Sequence, residues 1–90
     1  MREASVTIVN QLGLHTRAAS VLVRLATTFE ADITLAREDG KPVNGKSIMG
    51  VMLLAATQGT TVRICADGSD EADALAALTQ LVRDRFGEDE

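Results

Sequence analysis

The sequence predicts an α+β fold, an open-faced sandwich in which a four-stranded antiparallel sheet is covered on one face by three helices. Apolar residues alternate with polar ones in several short runs, which is typical of strands, and recur at helical spacing in other runs. These runs come in the order strand, helix, strand, strand, short helix, strand, helix. A sheet with all its helices on one face satisfies that order. With 90 residues, the chain (1–90) is expected to form a single domain.

The first part of the chain is predicted to form a strand, a helix and a second strand. Alternation at Val6 and Ile8 indicates the first strand. Apolar residues at helical spacing predict an amphipathic helix over Thr16–Phe29. Alternation resumes at Ile33 and Leu35, which predicts the second strand.

A hairpin and a short helix are predicted next. Asp39-Gly40 is a two-residue hairpin signal, because both residue types tolerate positive φ. The third strand is expected around Pro42–Asn44 and at an edge of the sheet, because proline lacks the N–H that a central strand needs. Ser47 is the expected N-cap of a helix over Ile48–Leu54.

The last part of the chain is predicted to form a strand and a helix. Alternation at Val62 and Ile64 indicates the fourth strand, and Cys65 within it is expected to be a buried thiol. Ser69 is predicted to cap the last helix and Gly87 to end it. The inner face of that helix is predicted to comprise Ala72, Leu75, Ala76, Leu78 and Val82.

Composition excludes several classes of function. The net charge is −4 and the only aromatic residues are two Phe, which argues against a nucleic-acid binder. The longest apolar run, residues 48–56, is too short to cross a bilayer, so no membrane insertion is expected. The single Cys and single His fall on separate predicted elements, so neither a metal site nor a cofactor is expected. With no signal segment and no possible internal disulfide, a cytoplasmic location is expected.

The one histidine lies in an acid-free part of the chain. Between Asn10 and Phe29 the only charged residues are Arg17 and Arg24, which favours a small anion site. His15 is predicted to stand at the start of the first helix, where free backbone N–H groups and the helix dipole attract anions and disfavour protonation of the imidazole. A neutral imidazole is nucleophilic. On the residues alone, a helix cap or an ordinary surface histidine remains an equal alternative.

Two segments resemble the histidine-containing phosphocarriers of the HPr family. "GLHTRAAS", residues 13–20, is similar to the active-site motif of that family, and "NGKSIMGVMLLA", residues 44–55, to its serine segment. The resemblance covers essentially the whole chain. The family usually has proline after the arginine, and this chain has Ala18, which is expected to keep the helix but loosen its first turn.

The resemblance implies a stoichiometric carrier that is not itself an enzyme. His15 would accept a phosphoryl group on Nδ1 from Enzyme I and pass it to an EIIA-type domain of a sugar transporter. Arg17 and the backbone N–H groups of Thr16 and Arg17 would bind the phosphoryl oxygens. A monomer is expected.

The resemblance also implies that Ser47 is a regulatory site for HPr kinase/phosphorylase. Beside it, Ile48, Met49 and Met52 are expected to stay partly exposed near His15 as a partner-binding surface, because so short a helix cannot bury every apolar residue it carries. Val51 and Leu54 are expected to face the core. Arg24 is expected to add electrostatic steering. Two alternatives remain, a nitrogen-branch phosphocarrier and a regulatory binding module that acts mainly through Ser47.

Overall fold

The computed structural model describes residues 1–89, and its elements follow the predicted order. They are β1 (Arg2–Thr7), α1 (Thr16–Ala26), β2 (Asp32–Arg37), β3 (Val43–Asn44), α2 (Ile48–Leu53), β4 (Thr61–Asp67) and α3 (Glu71–Arg83). A 3-10 turn over Arg85–Gly87 follows α3.

The four strands form one antiparallel sheet in the order β1-β4-β2-β3. Val6 of β1 lies opposite Val62 of β4, and Leu35 of β2 lies opposite Ile64 of β4. The two-residue β3 occupies an edge directly after Pro42, as predicted. The predicted fold class is therefore confirmed.

The core lies between one face of the sheet and the helices. Its largest fully buried side chains are Ile8, Leu22, Ile33, Leu35, Val51, Val62, Ile64, Leu78 and Val82. On the opposite face, Ser5, Thr7 and Thr61 are exposed, as the alternation predicted. Cys65 also lies on that face, half-buried, and its Sγ donates to Glu3 Oε2 at 3.3 Å. The expectation that Cys65 is buried was wrong, because Cys65 alternates with the inward-facing Ile64.

Helix α1 is one turn shorter than predicted. It ends at Ala26, and the next two residues turn their side chains back onto it. Thr27 Oγ1 donates to Arg24 O at 2.8 Å, and Thr28 Oγ1 donates to Leu25 O at 2.7 Å. Threonine hydroxyls that bond to nearby backbone carbonyls compete with helical hydrogen bonds. Phe29, predicted to end the helix, instead packs against the core from the following turn.

The connection between β2 and β3 is longer than the predicted two-residue hairpin. Neither Asp39 nor Gly40 has a positive φ. Gly40 N donates to Arg37 O at 3.1 Å, and five residues, 38–42, separate the two strands. The prediction failed because β3 pairs with β2 only through Val43 and Asn44. No paired residues directly flank Asp39-Gly40, as a two-residue hairpin turn would require.

The start of α3 differs from prediction by one residue. Asp70, not Ser69, is the N-cap, and its side chain does not cap the helix. Instead the Asp70 carboxylate accepts from Glu30 N and Ala31 N, both at 2.9 Å. The N–H of Glu30, followed by that of Ala31, holds the pKa of Asp70 below its usual value. A contact with the loop before β2 thus fixes this end of α3.

The buried face of α3 is also offset from the predicted one. Leu78 and Val82 are buried as expected, but Ala72 and Ala76 are exposed and Leu75 is only half-buried. Ala74 and Thr79 take their place. Thr79 enters the core because its hydroxyl donates to Leu75 O at 2.9 Å, which satisfies its polar group.

Candidate functional site

A tight loop connects β1 to His15. Asn10 is fully buried, and its Nδ2 donates to Gly13 O at 2.8 Å. Gly13 has a φ of +65°, and a Cβ there would lie 2.6 Å from Ala56 O. Leu14 N donates to that same Ala56 O at 2.9 Å. The loop therefore passes so close to the segment after α2 that only glycine fits at position 13.

His15 is the N-cap of α1. Its backbone is extended, with a φ of −74° and a ψ of 175°, and its carbonyl accepts from Ala19 N at 2.8 Å. The imidazole does not cap the helix, and 27% of the side chain is exposed. Within residues 1–89, the N–H groups of Thr16, Arg17 and Ala18 have no hydrogen-bond acceptor. The ring thus stands at a helix end with free N–H donors, a setting that favours anion binding.

A carboxylate from the other end of the chain contacts the imidazole. His15 Nε2 lies 2.5 Å from Glu88 Oε2. The other oxygen, Glu88 Oε1, accepts from Asn10 Nδ2 at 2.9 Å. From the sequence, no acid was expected beside the histidine because its neighbours are not acidic. That expectation was wrong, since Glu88 reaches the ring from 73 residues away.

The turn after α3 places Glu88 next to the His15 ring. The helix ends at Arg83 rather than at the predicted Gly87, and Arg85 and Phe86 then take left-handed φ values of 58° and 55°. Phe86 is buried, with 6% of its surface exposed, and Glu88 N donates to Arg85 O at 2.9 Å. Phe86 is the one large apolar residue in "DRFGEDE", residues 84–90, and that isolated phenylalanine was a signal that the chain around it packs back onto the domain.

The surroundings of Glu88 favour its ionised form. Burial raises the pKa of the Glu88 carboxyl, but the hydrogen bonds from Asn10 and His15 and the positive charge of Arg17 outweigh it. The pKa of Glu88 therefore lies below its ordinary value. An ionised carboxylate only accepts hydrogen bonds, so the proton in the contact with His15 belongs to Nε2.

Arg17 lies in the first turn of α1 with an exposed side chain. Its side chain and Glu88 line the same open cleft, together with Gln11, Leu12 and the last described residues of the chain. Among residues 1–89, Arg17 has no carboxylate within ion-pair distance. The guanidinium is thus available for an anion bound at the start of α1.

The serine segment forms α2 much as predicted. Ser47 is the N-cap, and its Oγ accepts from Gly50 N at 3.1 Å. Val51 and Leu54 are buried, as expected. The large apolar side chains of Ile48, Met49, Met52 and Leu53 are exposed by 40%, 78%, 41% and 78%.

The predicted site residues fall on two packed helices. His15, Thr16 and Arg17 begin α1, whereas Arg24 lies in its last turn. Ser47 begins α2, which contacts α1, but among residues 1–89 no hydrogen bond joins Ser47 to the group around His15. Within residues 1–89, no cluster of three metal-ligating side chains occurs. No helix in that range has the length and apolar character that a membrane span requires.

A partly exposed histidine at a helix start, with an exposed arginine in the first turn, forms a small anion site that suits a protein carrying a phosphoryl group. The model of the family described as "PTS HPr component phosphorylation site" matches residues 2–84. The HPr phosphocarrier of Xylella fastidiosa is 51% identical over 89 residues, with 99% of each chain covered. That of Cupriavidus necator is 48% identical, with both chains fully covered. The chain belongs to the HPr family.

Solved structures agree with this assignment. HPr of Thermoanaerobacter tengcongensis is 42% identical, both chains are fully covered, and the TM-score is 0.93. Crh of Bacillus subtilis, a catabolite repression protein described as a swapped dimer, is 42% identical, with 93% of this chain and 95% of Crh covered and a TM-score of 0.75. The protein is thus a phosphocarrier component of the phosphotransferase system rather than a catalytic enzyme.

Proposed function

We propose that His15 is the phosphoryl acceptor, that Enzyme I is its donor and that an EIIA-type domain of a sugar transporter is its recipient. The observation that carries this proposal is the position of His15 at the N-cap of α1, with its ring partly exposed beside N–H groups that have no other acceptor within residues 1–89. Because Nε2 contacts Glu88, the free nitrogen of the ring is Nδ1, and the phosphoryl group forms its bond there.

Arg17 and the first turn of α1 stabilise the transferred group. The phosphoryl oxygens, which share up to two negative charges, would lie next to the positive end of α1, where the backbone N–H groups of Thr16 and Arg17 have no acceptor within residues 1–89. The Arg17 guanidinium is exposed on the same turn and binds phosphoryl oxygens in a bidentate manner. These donors stabilise the charge of the phosphoryl group during its transfer.

The exposed face of α2 serves as the docking surface. Ile48, Met49 and Met52 remain uncovered on a helix that packs against α1. A carrier must fit a donor and a recipient in turn, and flexible methionines adapt to different partners. Arg24 extends the positive side of α1 and steers acidic partners. We further propose that residues 1–90 form a single domain and that the protein acts in the cytoplasm as a monomer.

Phosphorylation by Enzyme I and phosphoenolpyruvate tests this function. We expect one acid-labile phosphoryl group per chain, none on His15→Ala, and slow labelling of Arg17→Ala. Thr27→Ala is the control, because its hydroxyl only bonds back to Arg24 O in the last turn of α1. Acid-labile label on His15→Ala would contradict the assignment of the site.

We also propose that Ser47 is a regulatory phosphorylation site. Its Oγ already accepts a hydrogen bond from Gly50 N at the start of α2, so a phosphate there keeps a favourable local setting. The added charge lies next to the docking surface and repels acidic partners. HPr kinase/phosphorylase with ATP is expected to give an acid-stable product that is missing from Ser47→Ala. An acid-stable product on that variant would place the regulatory site elsewhere.

A further inference from the structure

Residues from two distant parts of the chain form a hydrogen-bonded series at the site. Asn10 Nδ2 donates to Glu88 Oε1 at 2.9 Å, and Glu88 Oε2 meets His15 Nε2 at 2.5 Å. Asn10 is fully buried, and only 12% of the Glu88 side chain is exposed. Such a series orients an imidazole, because a ring nitrogen held by a carboxylate sets both the tautomer and the plane of the ring.

We propose that Glu88, held in place by Asn10, is a positioning residue for phosphoryl transfer at His15. It keeps the imidazole proton on Nε2 and thereby leaves the Nδ1 lone pair free to attack phosphorus. This inference rests on the proposed function, and it adds a residue that lies outside the motif around His15 and beyond the segment that the family model matches.

The orientation of Asn10 supports this role. Its Nδ2 donates both to Glu88 Oε1 and to Gly13 O, and the reversed amide would turn an oxygen toward two acceptors. Within residues 1–89, Asn10 Oδ1 is buried without a partner. A buried polar atom without a hydrogen bond costs stability, and the favourable contacts of Nδ2 offset that cost. One side chain thus fixes both the loop that leads to His15 and the carboxylate that contacts it.

The transfer step needs no proton to enter or leave the ring. The Nδ1 lone pair forms the new P–N bond, while the bond between phosphorus and the donor atom of phosphorylated Enzyme I breaks and leaves its electron pair on that donor atom. The ring, which keeps its Nε2 proton, gains a positive charge opposite the Glu88 carboxylate. When the group moves on, the P–N bond breaks, its electron pair returns to Nδ1 and the ring is neutral again.

Nitrogen-15 NMR of the unphosphorylated protein tests the positioning role. At a pH where the ring is neutral, we expect wild type to give one protonated signal from Nε2 and one unprotonated signal from Nδ1. In Glu88→Ala the two signals are expected to move toward each other, because the ring is then free to exchange tautomers. Glu88→Gln retains an uncharged acceptor and is expected to give an intermediate result. Wild-type signals in Glu88→Ala would overturn the proposal.

The rate of phosphorylation by Enzyme I is the second readout. We expect Glu88→Ala to be slower by about tenfold or more, because a misplaced reacting group costs up to about 10²-fold in rate. Asp32→Asn is the control for charge, since it removes one exposed carboxylate at the start of β2, at the other end of the sheet. A rate in Glu88→Ala equal to that of wild type, or faster as for a carboxylate that only blocks the ring, would also overturn the proposal.

The two proposals fail in different ways. If His15→Ala still accepts an acid-labile phosphoryl group, the proposed function is wrong. If His15→Ala is inactive while Glu88→Ala matches wild type in both readouts, His15 remains the acceptor and only the role of Glu88 is refuted. Circular dichroism of each variant checks that it is folded.

Discussion

At the scale of single residues, the placement of His15 depends on positions that carry no reactive group. Gly13 holds the preceding loop against the backbone of Ala56, and Asn10 ties that loop to Glu88. The motif in residues 13–20 was sufficient to name His15 and Arg17 as candidate site residues and to place them at the start of a helix. It did not predict Asn10 or Glu88, since contacts between residues 73 or more positions apart leave no local pattern.

Gly13→Ala is expected to destabilise the protein by more than about 2 kcal/mol. A left-handed φ costs a residue with a Cβ about 1–2 kcal/mol, and the new Cβ would also lie 2.6 Å from Ala56 O. Gly59→Ala is the matched control, because Gly59 has a φ of +91° but nothing within 4 Å of a Cβ. Urea denaturation measures both. Equal losses for the two variants would mean that the close approach at Gly13 is unimportant.

The pH dependence of stability tests the Glu88 contacts. The pKa of Glu88 is lowered in the folded protein. Its contribution to stability is therefore fully present above the unfolded-state pKa of about 4.3 and is lost as the pH falls through the lower folded value. Glu88→Gln is expected to be less stable than wild type at pH 7, with the difference shrinking as the pH falls below about 4. A difference that does not change with pH would contradict an ionised Glu88.

At the scale of elements, periodicity predicted the type of each helix and strand but not its ends. The end of α1 is set by the hydroxyls of Thr27 and Thr28, and the start of α3 by the bonds of Asp70 to a loop on another part of the chain. Neither contact appears in a hydrophobic pattern. The burial of Val51 in α2 and of Leu54 at its C-cap was predictable, because a helix of six residues has one narrow buried face.

Adjacent leucines in α2 and its C-cap provide a direct test of that face. Leu54 is buried, at 5% exposure, whereas Leu53 is 78% exposed. Leu54→Ala is expected to cost about 2–5 kcal/mol of stability, because it opens a cavity in the core. Leu53→Ala is expected to stay within about 0.5 kcal/mol of wild type. Thermal denaturation of both variants measures the difference, and similar losses would mean that α2 packs through another face.

At the scale of the whole molecule, the order of elements predicted the open-faced sandwich, and the antiparallel sheet confirms it. The order of the strands within the sheet was not predicted, because β4 pairs with both β1 and β2 only through contacts distant in sequence. The same is true of the turn after α3. It places Glu88 beside His15 at the start of α1, so we expect the stability of this turn and the geometry of the site to be coupled.

Phe86→Ala tests this coupling. Loss of a buried phenylalanine is expected to cost about 3–5 kcal/mol, and it also releases the segment that carries Glu88. At a temperature where the variant remains folded, phosphorylation by Enzyme I is expected to slow as much as in Glu88→Ala. A destabilised variant with the wild-type rate would show that Glu88 reaches His15 without this anchor.

The most direct test of the account is the position of the phosphoryl group on the ring. After reaction with Enzyme I and phosphoenolpyruvate, phosphorus-31 and nitrogen-15 NMR identify which nitrogen is bonded to phosphorus. We expect a bond to Nδ1 of His15, with Nε2 still protonated and facing Glu88. Phosphorus on Nε2, or on any residue other than His15, would contradict it.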